Sequence, residues 1–111
     1  MPARGSTTFL AEIRDGTLLL RGELDVASVQ DLQSKIDEVM IQGQPIILDL
    51  AQLNFMDSSG ILCLFKTWYT SGHPVVLRNA SITVRRILDL VEEGPIPQAW
   101  VFDGEGPTVT R

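Results

Sequence analysis

Asp57-Ser58-Ser59-Gly60 is the stretch of this chain whose residue types could most readily take part in chemistry. Aspartate and serine are the preferred residues for accepting hydrogen bonds from the free N–H groups at a helix start. A single cap would account for one of them, yet three candidates stand in a row. Gly60, inside the first turn, weakens a helix by about 0.5–1 kcal/mol relative to alanine. It also permits close approach by another backbone or by a partner. A hydroxyl at an exposed helix start is open to modification. A phosphate there would bring about −1.5 to −2 charges, which the helix dipole and the free amides can accept without unfolding the domain. With Asp57 beside it, and Asp25 expected on a nearby loop, a docking partner would meet a dense anionic cluster. The arrangement reads as a binding switch.

Enzymatic readings of the same residues fail. A serine nucleophile needs a base, and His73 is the single histidine of the chain. It lies beyond the far end of the helix that Ser58 begins, roughly 20 Å away at 1.5 Å per residue. In its polar turn beside Pro74, His73 reads as a surface residue. Cys63, the single cysteine, lies in an apolar helical run, the setting of a buried inert thiol. One cysteine also excludes an internal disulfide and multi-cysteine metal sites. There is no glycine-rich phosphate loop, the carboxylates are dispersed, and no cofactor is expected.

The 111 residues fit one domain. Fourteen acidic residues face nine basic ones, for a net charge of −5, and only two of the basic residues are lysine. Such a chain is poorly suited to direct nucleic-acid binding. Its longest apolar run, Ile61–Phe65, is five residues, against the ~20 of a membrane helix, so no membrane insertion is expected. Cysteine poverty and the lack of a signal segment point to a cytoplasmic setting.

The elements that must position these residues follow from periodicity. Phe9, Ala11 and Ile13 alternate on one face of a strand, Asp15-Gly16 forms a turn, and Thr17–Arg21 completes an antiparallel hairpin. Gly22-Glu23-Leu24-Asp25 is expected to leave the strand. Val29, Leu32, Ile36, Val39 and Met40 mark an amphipathic helix over 27–42, with Asp25 or Ser28 as its cap and Ser28/Asp31 at capping-box spacing. Residues 46–50, apolar on both faces, read as a central parallel strand covered on both sides. Residues 51–57 read as a loop. A second helix over 59–71 carries Ile61, Leu64, Phe65 and Trp68 at helical spacing, so that at least one of Trp68 and Tyr69 joins the core and the other is free to be exposed. Val75–Leu77 is a strand. Ser81 caps a third helix, with Val84, Ile87, Leu88 and Val91 inward and Arg85 and Arg86 solvated, which Gly94-Pro95 stops. Ala99–Phe102 is the last strand. The order β-β-α-β-α-β-α-β predicts an α/β fold, a mostly parallel mixed sheet of about five strands covered by helices. One domain over 8–103 is expected between flexible tails at 1–7 and 104–111.

Taken in order, Gly22-Glu23-Leu24-Asp25, Ile47-Leu48-Asp49-Leu50, Phe55-Met56-Asp57-Ser58-Ser59-Gly60-Ile61 and Val84-Arg85-Arg86-Ile87-Leu88-Asp89-Leu90 resemble the bacterial anti-sigma factor antagonists, built on the STAS domain. The resemblance covers nearly the whole domain and implies a partner-switching role. In the family, the unphosphorylated antagonist captures an anti-sigma factor that is also a serine kinase, and so frees the sigma factor. The kinase phosphorylates the first serine of the motif, here Ser58, and the phosphoprotein lets go. A metal-dependent serine phosphatase resets the cycle, and ATP and magnesium belong to the kinase. The resemblance implies a partner surface of Asp25, Asp57, Ser58, Ser59, Gly60 and Leu62. Leu62 stands where family members often carry a small residue, so it is expected to alter the partner fit if it faces outward. The alternative implied by the wider family is a STAS scaffold or transporter-associated module that no kinase switches.

Overall fold

The computed structural model describes residues 9–91 and 99–103. The expected tails at 1–7 and 104–111 and the expected stop at Gly94-Pro95 lie outside these residues.

Eight elements follow in the expected order: β1 (Leu10–Arg14), β2 (Thr17–Leu24), α1 (Val29–Ile41), β3 (Ile47–Met56), α2 (Ser58–Ser71), β4 (Val75–Arg78), α3 (Ile82–Val91) and β5 (Trp100–Asp103). The sheet order is β1-β2-β3-β4-β5. β1 and β2 are antiparallel, and the other three pairings are parallel. The β1–β2 hairpin closes through Asp15 (φ 52°) and Gly16 (φ 80°), which turn the chain between the paired Arg14 and Thr17. Two consecutive positive φ angles are what a two-residue hairpin of this twist requires, and Asp-Gly supplies them.

Leu18 and Leu20 of β2, Leu48 and Leu50 of β3, and Val75 and Leu77 of β4 form one buried face. Leu32, Ile36 and Val39 of α1, Leu64 of α2, and Val84 and Leu88 of α3 complete the core. α1 packs on α2 as well as on the β1–β2 hairpin. Trp100 sits against Phe65 with ring centroids 5.3 Å apart. Trp68 packs against the core while Tyr69 is exposed, which settles that pair. Ser81 caps α3 as expected, its hydroxyl accepting the Val84 N–H at 3.2 Å. Arg85 is exposed as expected, but it also lies over the Phe102 ring at 4.0 Å.

Three expectations are corrected. First, β2 and β3 run further than their apolar pattern suggests. Residues 51–56 are strand, not loop, and Gly22-Glu23-Leu24 remain in β2. Arg21, Gly22, Glu23 and Leu24 pair with Gln52, Leu53, Phe55 and Met56, with register shifts on either side of Arg21-Gly22. Gly22 takes φ 99° at this irregularity, a conformation open to glycine and disfavoured for other residues. The shifts put the buried residues of β3 at Leu50, Leu53 and Met56, three apart, which hides the strand from a search for alternation. Second, the central strand is parallel but its two sides are not equally covered. Leu48 and Leu50 are fully buried, whereas Ile47 and Asp49 are half-buried beside Thr17 and Leu19. Third, of the two cap candidates for α1, Ser28 stands at the N-cap position but makes no side-chain cap bond, whereas Asp25 Oδ1 accepts the Ala27 and Ser28 N–H groups.

Candidate functional site

The parallel strands β2 and β3 end together, with Leu24 opposite Met56. Asp25 and Asp57 are the first residues beyond those ends, so the topology brings them side by side. Functional sites of open parallel sheets gather at this carboxyl end. The Asp57 N–H donates to the Leu24 carbonyl at 3.0 Å and ties the two chain segments together.

Asp57 is the cap of α2. Its backbone is extended, and its Oδ1 accepts the Ser59 N–H at 2.8 Å. Its carbonyl accepts the N–H groups of Gly60 (3.1 Å) and Ile61 (3.2 Å), the first bonds of the helix. With the cap supplied by Asp57, the Ser58 side chain is exposed on the first turn. Ser59 is half-buried.

Gly60 has a different task from the one its sequence position suggests. It is buried, and a Cβ there would lie 2.7 Å from Met56 Cγ and 2.8 Å from Leu24 Cδ2. The missing side chain makes room for the protein's own core, so Gly60 offers no side-chain surface to a partner. Leu62 does. It is 64 % exposed one turn beyond Ser58, and Lys66 and Tyr69 continue the exposed stripe along α2. Of the two residues before Asp57, Phe55 is exposed and Met56 is fully buried.

Asp25 lies in a tight turn between β2 and α1. Its Oδ1 accepts the N–H groups of Ala27 (3.1 Å) and Ser28 (3.2 Å). Val26, at the tip, is 73 % exposed. Leu24 and Phe55 stand in the segments that carry the family resemblance, but Val26 carries no signal of a site in the sequence. Leu24 is expected to leave the strand with its neighbours, and only the bulged register shows that it lies under Gly60. An apolar residue outside any helical or strand stripe is the one cue that could have pointed to Val26.

Neither enzyme candidate of the sequence gains a partner. His73 is exposed beyond α2, where its N–H and carbonyl engage the Ser71 hydroxyl. Cys63 is buried, its thiol donating to Gln33 Oε1 of α1 at 3.4 Å, and burial pushes its pKa up. A cavity of about 130 Å³, lined by Glu12, Arg14, Arg21, Asp49 and Gln52 among others, includes none of the candidate site residues. Among the described residues, no helix is long and apolar enough to cross a membrane.

Residues 8–105 match the STAS domain family. An anti-sigma F factor antagonist of Lysinibacillus sphaericus is 33% identical over 94 residues, which cover 78% of this chain and 77% of that protein. The solved structure of the anti-sigma factor antagonist SpoIIAA in its unphosphorylated form is similar with a TM-score of 0.61 and 30% identity, over 87% of each chain. The Bacillus cell fate determinant SpoIIAA in the phosphorylated form is similar with a TM-score of 0.58 and 28% identity, over 87% of this chain and 90% of that one. Fold and sequence thus agree, and the chain belongs to the STAS domain family, with anti-sigma factor antagonists among its relatives.

Proposed function

We propose that this protein is an anti-sigma factor antagonist switched by phosphorylation of Ser58. Unphosphorylated, it binds an anti-sigma serine kinase and so frees a sigma factor. The partner surface is formed by Asp25, Asp57, Ser58, Ser59 and Leu62, with Gly60 shaping it from beneath. The chain is the substrate of the kinase and of a metal-dependent serine phosphatase, catalyses nothing itself, and works in the cytoplasm.

One observation carries this reading: Asp57 caps α2, which leaves the Ser58 hydroxyl exposed at the helix start. A phosphate on that oxygen meets the positive end of the helix dipole, so the fold tolerates it. The partner meets it beside Asp57 and Asp25, where like charges oppose any anionic group brought against them. The existence of a related protein in phosphorylated form supports the same reading.

Incubation with the cognate anti-sigma kinase and ATP adds one phosphate, found by peptide mass spectrometry on Ser58. Ser58→Ala accepts none, and Ser58→Asp weakens kinase capture while keeping the native circular dichroism. Full-rate phosphorylation of Ser58→Ala, or unfolding of Ser58→Asp, sinks the reading.

A further inference from the structure

We infer that Ser28 is a positioning residue of the partner surface: it holds the Asp25-Val26-Ala27 turn in the form that the kinase engages. The inference rests on the proposed function and extends it to a residue that the motif does not contain.

Ser28 stands where a helix cap belongs, yet it does not cap α1. It is 7 % exposed, and every hydrogen bond of its hydroxyl runs backward into the turn. The Asp25 N–H donates to Ser28 Oγ at 3.0 Å. The Ser28 hydroxyl has three acceptors in reach: the Glu23 carbonyl (3.1 Å), the Asp25 carbonyl (3.3 Å) and Asp25 Oδ1 (3.1 Å). The Ser28 N–H donates to the Asp25 carbonyl at 3.0 Å and reaches Oδ1 at 3.2 Å. Main chain and side chain of Asp25 are therefore both held by one buried serine.

The turn so held is anchored to the helix that carries Ser58. Leu24, the residue before Asp25, accepts the Asp57 N–H and packs its side chain beneath Gly60. Asp25 and Ser58 are thus parts of one hydrogen-bonded unit at the ends of two paired strands. A partner that reads both needs their spacing, and Ser28 sets one side of it. Loss of the hydroxyl leaves the Asp25 N–H without its acceptor and removes one bond from the carboxylate, while α1, which it does not cap, keeps its own bonds.

The test compares wild type, Ser28→Ala, Asp25→Ala and the double variant as substrates of the cognate kinase. Amide hydrogen exchange across the turn is followed in parallel. Ser28→Ala should raise KM about tenfold, the loss expected for one hydrogen bond to a charged group, with kcat unchanged because Ser58 itself is untouched. Exchange should quicken at Ala27 and Ser28 but not in β4. In the Asp25→Ala background the Ser28→Ala change should raise KM less than in wild type, since the bond to the carboxylate is already gone while those to the Asp25 main chain and the Glu23 carbonyl remain. An unchanged KM, a fall in kcat alone, or full additivity of the two substitutions overturns the inference while leaving the function standing. A wild-type chain that the kinase does not phosphorylate overturns the function, and this inference with it.

Discussion

The starts of α1 and α2 are built from the same residue types and use them in opposite ways. Each follows the end of a parallel strand, and each begins with an aspartate: Asp25-Val26-Ala27-Ser28 before α1, Asp57-Ser58-Ser59-Gly60 at α2. At α2 the aspartate caps the helix and the serine beside it is exposed. At α1 the aspartate closes a turn and the serine is buried in its hydrogen bonds. A serine engaged by its neighbours has no hydroxyl to offer an enzyme. Residue type names a set of candidate phosphosites; the bonds already made decide among them.

Several substitutions would break or sharpen this contrast. The largest effect belongs to Leu24, which touches both regions. Leu24→Ala empties a fully buried site and should destabilise the fold by about 2–5 kcal/mol, read from the shift of the urea midpoint. A loss well below that range would mean that the two helix starts are not joined through this residue. Next comes Gly60→Ala. The new Cβ would overpack Met56 and Leu24, at about 1–3 kcal/mol against a helix-propensity gain of up to ~1 kcal/mol. The net result is a loss in thermal stability; a more stable variant would show that the packing beneath α2 is looser than the distances indicate.

The third comparison sets cap against phosphosite. Asp57→Ala removes the side-chain cap and should cost about 0.5–2 kcal/mol, whereas Ser58→Ala, at an exposed position, should stay within about 0.5 kcal/mol of wild type. Equal losses for the two, measured by denaturant unfolding, would erase the division of labour at α2. The smallest effect is a pH dependence where the bodies of the two helices meet. Burial raises the pKa of Cys63, whose thiol donates to Gln33 of α1. The folded state therefore keeps a proton that the unfolded chain releases. That contribution is fully present below the ordinary thiol pKa and is lost as pH rises from there through the raised folded-state value. Melting temperature should fall more steeply above about pH 9 for wild type than for Cys63→Ala. Parallel curves would show that the thiol does not contribute.

Much of this was legible in the chain itself. The three amphipathic helices, the Asp-Gly hairpin and the strands around Ile47–Leu50 and Val75–Leu77 follow from spacings of three to four or of two. The ends of β2 and β3 did not, because the register shifts near Gly22 space the buried residues Leu50, Leu53 and Met56 three apart. Asp57 and Ser58 were legible because capping is local chemistry between residues one or two apart. Asp25 and Ser28 were both legible as cap candidates, and it is Asp25 whose carboxylate accepts free N–H groups before α1, while Ser28 makes no cap bond. Its position and spacing from Asp31 satisfy the capping pattern, but the Asp25 turn competes for the same hydroxyl and holds it.

The chain alone determined which elements form and which residues could carry a charge switch, since both depend on periods and contacts within a few residues. Only the tertiary structure decided what each candidate does. Pairing β2 with β3 brought Asp25 beside Asp57, laid Leu24 under Gly60 and turned that glycine from a possible partner contact into a packing position. It also buried Ser28 and left Ser58 exposed. These outcomes rest on the register between residues some thirty positions apart, and local pattern does not record such a register.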